Sequence, residues 1–114
     1  MNILENAKNH FKEISRGLSK IEVKEWGDKS GPAVIYSKPM NMTQKSEAYS
    51  LQEQNKFDEY MFIQLYHMAR KEDGARYFNR DDKDTILKEI DPNVLSLVVS
   101  KLKNELTAEE IEKN

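Results

Sequence analysis

Apolar residues in this chain recur at two periods, and the switches between them divide it into elements. Ile3, Leu4, Ala7, Phe11, Ile14 and Leu18 keep to one narrow face at a helical 100° per residue, with polar residues on the other side. This predicts a helix over roughly residues 3–16, with Gly17 as its stop. Two roles are open to it: docking on the core of its own chain, or acting as an arm on a neighbouring subunit, since terminal amphipathic helices are easily exchanged. Ile21-Glu22-Val23-Lys24 then alternates with period two, and Ala33-Val34-Ile35-Tyr36 is β-branched and aromatic. Between them, Gly27 to Pro32 is dense in turn formers, so the pair reads as a two-stranded antiparallel hairpin with a loop of about six residues. A lone hairpin is marginal in water and is expected to lie against the helices. Trp26, the single tryptophan, sits at the end of the first strand and reads as a core or seam anchor, with a partner contact as the other option.

Pro39 cannot donate to a sheet ladder, so the second strand stops there, and Thr43 is the expected N-cap of a mostly polar helix over 44–54 seamed by Ala48 and Leu51. The pattern leaves two courses open at Asn55, a helix running unbroken into the next or a break where the apolar face shifts, and the shift favours the break. The stretch from Phe57 to Phe78 is the centre of the pattern. Phe57, Met61, Leu65 and Met68 form one stripe, Phe62 and Ala69 widen it, and Tyr60, Ile63 and Tyr66 lie outside it. Apolar surface nearly encircles this helix, so it is expected to be buried on two sides, by its own chain or by a partner. Lys71-Glu72-Asp73-Gly74 marks its exit. An aspartate among Asp81, Asp82 and Asp84 is expected to cap a short helix ending near Ile90 and turning Ile86, Leu87 and Ile90 inward. Asp91-Pro92 restarts the chain as N-cap and first helical residue. Val94, Leu95, Val98, Val99, Leu102 and Leu106 then share a face, and Leu97 points the opposite way. Thr107 and Glu110 have the spacing of a capping box opening a short acidic tail.

The sum is one domain over residues 1–114 of α+β class: mainly helical, with five to six helices and one hairpin near the N-terminus. Its parts are an N-terminal amphipathic helix (1–18), the hairpin (20–38), a helical core (43–106) and the tail (107–114). Composition narrows the function classes. With 38% hydrophobic and 33% charged residues the chain is an ordinary globule with a heavily charged surface. A net charge of −2, with Lys and Arg interleaved among Glu and Asp, offers no basic face for nucleic acid or an anionic membrane. There are no cysteines, hence no disulfide framework, thiolate nucleophile or Cys-type zinc site. The N-terminal residues have no signal-peptide core, and no run approaches a membrane span, so a cytoplasmic protein is expected.

Catalytic constellations fail one by one. His10 and His67 are 57 positions apart and lack zinc-helix spacing; His67, flanked by Tyr60 and Ile63, reads as a satisfied, semi-buried histidine. No serine occupies a nucleophile elbow, and four glycines supply neither a P-loop nor a dinucleotide fingerprint. The acidic cluster at Asp81, Asp82 and Asp84 lacks the glycine of a calcium loop and is explained by helix capping. Neither an enzyme nor a cofactor or metal site is expected.

The order of four pieces resembles another kind of protein. A short strand ends in Trp-Gly over Ile21–Gly27. A return strand, Val34-Ile35-Tyr36-Ser37-Lys38-Pro39, leads through Met40-Asn41-Met42-Thr43 into a capped helix. A helix end with an acidic residue, an Asp-Gly turn and a phenylalanine spans Ala69–Phe78. Asp82–Leu87 is followed by an apolar helix and the Thr107–Asn114 ending. Together, over roughly residues 20–114, this order resembles the small tail assembly chaperones of long-tailed bacteriophages and prophages. The resemblance implies a non-enzymatic helper that coats the long, helical tape measure protein and keeps it soluble until tail-tube protein polymerises around it. It also implies a longer form made by ribosomal frameshifting in many phages.

A helical client is recognised by laying its apolar stripe in an apolar groove. Methionine and tyrosine suit such a groove, Met by adapting its shape and Tyr by adding area at little entropic cost. Met40, Met42, Met61 and Met68 with Tyr49, Tyr60, Tyr66 and Tyr77 are available for it, although Met61 and Met68 read first as core. The partner-facing candidates are Trp26, Tyr60, Tyr66, Met68 and Leu97, and homo-oligomerisation is expected from the all-round apolar helix. A connector-type structural subunit of the phage particle and a small protein-binding regulator are the competing readings.

Overall fold

The computed structural model describes the backbone of residues 2–113 and the side chains of residues 2–103. In chain order the elements are α1 (Ile3–Arg16), β1 (Ser19–Asp28), β2 (Gly31–Ser37), α2 (Met42–Glu53), α3 (Phe57–Met68), β3 (Ala69–Arg70), a 3-10 turn over Arg80–Asp82, α4 (Lys83–Glu89) and α5 (Pro92–Lys113). The class is α+β, with five α-helices and one antiparallel sheet of order β1-β2-β3.

The sheet has a third strand that the pattern did not reveal. The central helix stops at Met68, and Ala69 and Arg70 pair with Ser37 and Tyr36 at the end of β2. Two residues carry no readable alternation. Gly74, at φ 91°, turns the chain back through Lys71 N–H to Ala75 O (2.8 Å), and Arg70 also bridges Arg76. The hairpin loop is shorter than expected. Pairing runs on to Asp28 opposite Gly31, leaving Lys29 and Ser30 as the turn. Asp28 Oδ1 accepts from Ser30 N–H at 2.8 Å, and Gly31 takes φ 134°. The surplus residues are absorbed in a bulge of β1 between Val23 and Asp28, which swings Trp26 out of the ladder.

Caps account for the helix boundaries. Thr43 is not the N-cap of α2: Asn41 is, in a reciprocal box with Gln44, each side chain accepting from the other's backbone N–H (2.9 and 3.0 Å). Asn55 at φ 60° separates α2 from α3, as the shift of apolar face predicts. A second box joins Asn79 and Asp82 ahead of α4. Asp91 receives Asn93 N–H at 2.9 Å and opens α5 before Pro92. The α5 backbone continues to Lys113. Leu106 and the capping box expected between Thr107 and Glu110 lie outside the described side chains.

The core forms where α3 crosses between α2, α4 and α5 while α5 covers the inner face of the sheet. Ile21 and Val23 of β1 and Ile35 of β2 point inward, as period two requires. They meet Leu95, Val98, Val99 and Leu102 of α5 and Leu65 and Met68 of α3 in one apolar cluster with Ile86 of α4. Helix α3 is buried nearly all round, as expected, with Met61 through Leu65 inaccessible. Phe57 is the exception: it heads the predicted stripe yet is 66% exposed, because the first turn of α3 extends past its neighbours' cover. Helix α1 departs from the docked reading. Among its described residues none is buried, and Ile3 and Leu4 are 79% and 71% exposed.

Candidate functional site

An open cleft of about 430 Å³ lies where six elements, α1, β1, β2, α2, α3 and α5, converge without closing. Phe11 and Ile14 overhang it from the second half of α1. Pro39 and Met40 form one end, because Pro39 terminates β2 and the Asn41 cap redirects the chain into α2. Lys45, Ala48 and Tyr49 project from one face of α2. Tyr60, Gln64 and Met68, spaced four apart, form the α3 wall, and Leu102 and Lys103 of α5 close the far side.

The polar groups of the floor are already engaged. Ser37 Oγ donates to Leu102 O at 2.8 Å, tying β2 to α5, and Gln64 Nε2 donates to Tyr60 O at 3.2 Å. What remains available is mainly apolar and aromatic surface with two lysines, Lys45 and Lys103, the latter 5.8 Å from the Tyr60 ring centre. No carboxylate is found among the described residues lining the cleft. This lining suits an apolar helix face flanked by acidic side chains.

Of the five residues expected to face a partner, the fold brings two into this cleft. Tyr60 stands half-buried on its wall and Met68, 3% exposed, forms part of its floor. Trp26 is a seam anchor, packed edge-on against Phe78 with ring centres 6.5 Å apart and planes at 83°. Tyr66 stacks on Phe62 at 6.0 Å, with the guanidinium groups of Arg76 and Arg80 4.2 and 4.6 Å from its ring centre. Leu97 is 47% exposed on the outer face of α5, away from the cleft. Phe11, Ile14, Gln64, Leu102 and Lys103 join the site although the pattern did not mark them as partner-facing. The four-residue spacing of Tyr60, Gln64 and Met68 was the one signal available for Gln64. The others reach the cleft from elements far apart in sequence.

A second polar cluster gathers around His67 near the C-terminal end of α3. His67 Nε2 and Glu47 Oε1 are 2.7 Å apart, and His67 Nδ1 is 3.3 Å from Arg76. A guanidinium only donates, so Nδ1 must accept and Nε2 carries the proton given to Glu47. Both ring nitrogens are thereby satisfied in the neutral imidazole, the arrangement expected for His67. Burial, with the Arg76 and Arg80 charges, holds the imidazole below its ordinary value against the pull of Glu47. For Glu47, burial acts upward, but the hydrogen bond from His67 and the neighbouring cations, Arg80 among them, hold it below the usual carboxylate range. Both shifts make acid unfavourable to the fold. The unfolded chain binds a proton at His67 first, so stability is complete above about pH 6.5 and falls as the pH drops toward the lower folded value. The Glu47 share is lost below its own unfolded value, at more acidic pH. Thermal melts from pH 7 to 4 should therefore show Tm declining from below pH 6.5. In His67→Gln that upper part of the decline should vanish, and a parallel decline in the two proteins would refute the assignment.

Among the described residues, no three His, Asp or Glu side chains are grouped so as to hold a metal ion, and no helix is long and apolar enough to cross a membrane. Comparison with protein-family models, curated proteins and solved structures gave no match to this chain.

Proposed function

We propose that the chain is a non-enzymatic tail assembly chaperone of a long-tailed phage or prophage, binding helical segments of the tape measure protein until tail-tube protein assembles. The observation that carries this reading is the open apolar cleft between α1, α2, α3 and α5, walled by Tyr49, Tyr60 and Met40 and bordered by lysines. The order of short motifs from Ile21 onward supports it from the sequence side. A long amphipathic helix presents successive apolar stripes, so many copies bind one client, each tolerating a different register because Met and Tyr surfaces adapt. The chaperone acts in the host cytoplasm and without a cofactor, because shielding apolar surface requires only reversible burial.

Co-expression with a long helical tape measure protein tests the reading. A soluble complex with several copies per client is expected, where the client alone precipitates. Tyr49→Asp places a charge in the cleft at a half-exposed position, so the fold should survive and client affinity should fall at least roughly tenfold, as when an aromatic anchor is lost. Leu97→Asp, outside the cleft, should bind as wild type. Equal binding by both variants, or precipitation of the client whatever is co-expressed, would remove the cleft from the account.

A further inference from the structure

A second hollow, of about 340 Å³, adjoins the cleft, and Phe11 and Pro39 line both. Its charge is of one sign. Lys12 and Arg16, one helical turn apart on α1, line it together with Lys38, just past the end of β2. No carboxylate lines it among the described residues, and there none of the three cations makes an ion pair. Asn41 and Gln44 bring the N-terminal end of α2 to the same hollow, which adds the positive end of a helix dipole. With Lys45 and Lys103 of the cleft, the joined surface carries five cations and no described carboxylate. The chain as a whole has 20 acidic residues against 18 Lys and Arg, so its average mixture does not account for this surface. Cations gathered without a counter-charge repel one another; an acidic partner relieves that repulsion and a basic one adds to it.

We propose that this hollow selects the partner: it takes the carboxylates that flank the apolar stripe of an amphipathic helix, with Lys12, Arg16 and Lys38 as the specificity-determining residues. The inference rests on the cleft being the client site and names the chemistry of the client. A helix about 10 Å across, with its stripe laid on the cleft, turns one polar flank toward the adjoining hollow. Glutamates or aspartates four residues apart on that flank match the spacing of Lys12 and Arg16 on α1. Both of these cations are exposed, and charges at the rim of an interface act chiefly on which partner docks and how fast. Apolar contact in the cleft then supplies attraction common to any amphipathic helix, and the hollow discriminates among them by charge.

The test uses the full-length chain and two helical peptides that share one apolar stripe, the first flanked by glutamates and the second by lysines. Fluorescence anisotropy should show the Glu-flanked peptide binding at least roughly tenfold more tightly at low salt, with the gap narrowing as salt is added. Lys12→Glu/Arg16→Glu changes only exposed side chains and should abolish or invert the preference, with an unchanged circular dichroism spectrum. Lys20→Glu/Lys24→Glu makes the same change in net charge at exposed positions around a different hollow and should keep it. Equal binding of the two peptides overturns the proposal, as does binding of neither. So does a preference that survives in Lys12→Glu/Arg16→Glu or is lost equally in the Lys20→Glu/Lys24→Glu control. A roughly tenfold gain for the Glu-flanked peptide in Glu109→Gln/Glu110→Gln/Glu112→Gln would make the chain's own acidic ending the occupant instead, and likewise overturns it. The two readings fail separately. A tape measure protein that precipitates despite co-expression removes the chaperone reading and leaves the peptide preference standing, whereas indifferent peptides beside a soluble client complex remove only the hollow.

Discussion

Leu65→Ala should cost about 3 kcal/mol of folding stability and, at roughly 4 °C per kcal/mol for a chain of this size, lower Tm by about 12 °C. Leu65 is fully buried at the centre of α3, where that helix is enclosed by α2, α4 and α5. Removing its branched end leaves a void that elements held on several sides cannot collapse to fill, so the cavity cost adds to the lost transfer energy. Leu97→Ala removes the same atoms from a 47% exposed position on α5 and should cost less than about 0.5 kcal/mol. Urea denaturation of the two variants reads the difference directly. A loss below about 1 kcal/mol for Leu65→Ala would contradict the packing described for α3.

Gly27→Ala should be nearly as damaging, at about 3 kcal/mol, for a different reason. In the β1 bulge an added Cβ would press on Gly31 O and stand 2.7 Å from Pro32 Cα and 3.0 Å from Ala33 N. All three are backbone atoms of the paired strand, so no side chain can rotate away and relief requires opening the hairpin. Gly31, at φ 134°, is a useful contrast, since its Cβ would meet open space and the penalty there is conformational alone. Thermal melts of Gly27→Ala should show the loss. Amide resonances of Ile21 to Val23 should shift with it, because the same ladder carries them. A variant within about 0.5 kcal/mol of wild type would mean the bulge yields without cost.

These two sites differ in how far the chain announces them. Leu65 falls on a stripe with Met61 and Met68, and period alone places it inside. Gly27 sits next to Trp26 among turn formers and reads as part of a loop. Only the pairing of Asp28 with Gly31 shows that it lies in a bulge under a facing backbone. The cleft divides in the same way. Tyr60 and Met68 were marked by the apolar ring around α3, whereas Trp26 and Tyr66, equally aromatic, are taken up by Phe78 and by the Arg76 and Arg80 guanidinium groups. An aromatic side chain at a helical period is apolar surface in sequence, and its neighbours decide whether that surface is spent inside the fold.

By itself the amino-acid sequence determined the α+β class, a mainly helical chain of five to six helices and the hairpin, whereas the structure decided that α2 and α3 separate at Asn55. These follow from local causes: apolar period, caps, and the backbone limits of glycine, asparagine and proline. Only the tertiary structure decided the rest. β3 exists because β2 offers Ala69 and Arg70 a partner, and His67 is held toward its neutral form by burial and by the charges of Arg76 and Arg80, which reach it from elsewhere in the chain, against the pull of Glu47. The bare half of α1 and the open cleft are likewise properties of what the other elements leave uncovered. Pairing and burial depend on residues distant in sequence, and a local pattern carries no record of which distant residue arrives.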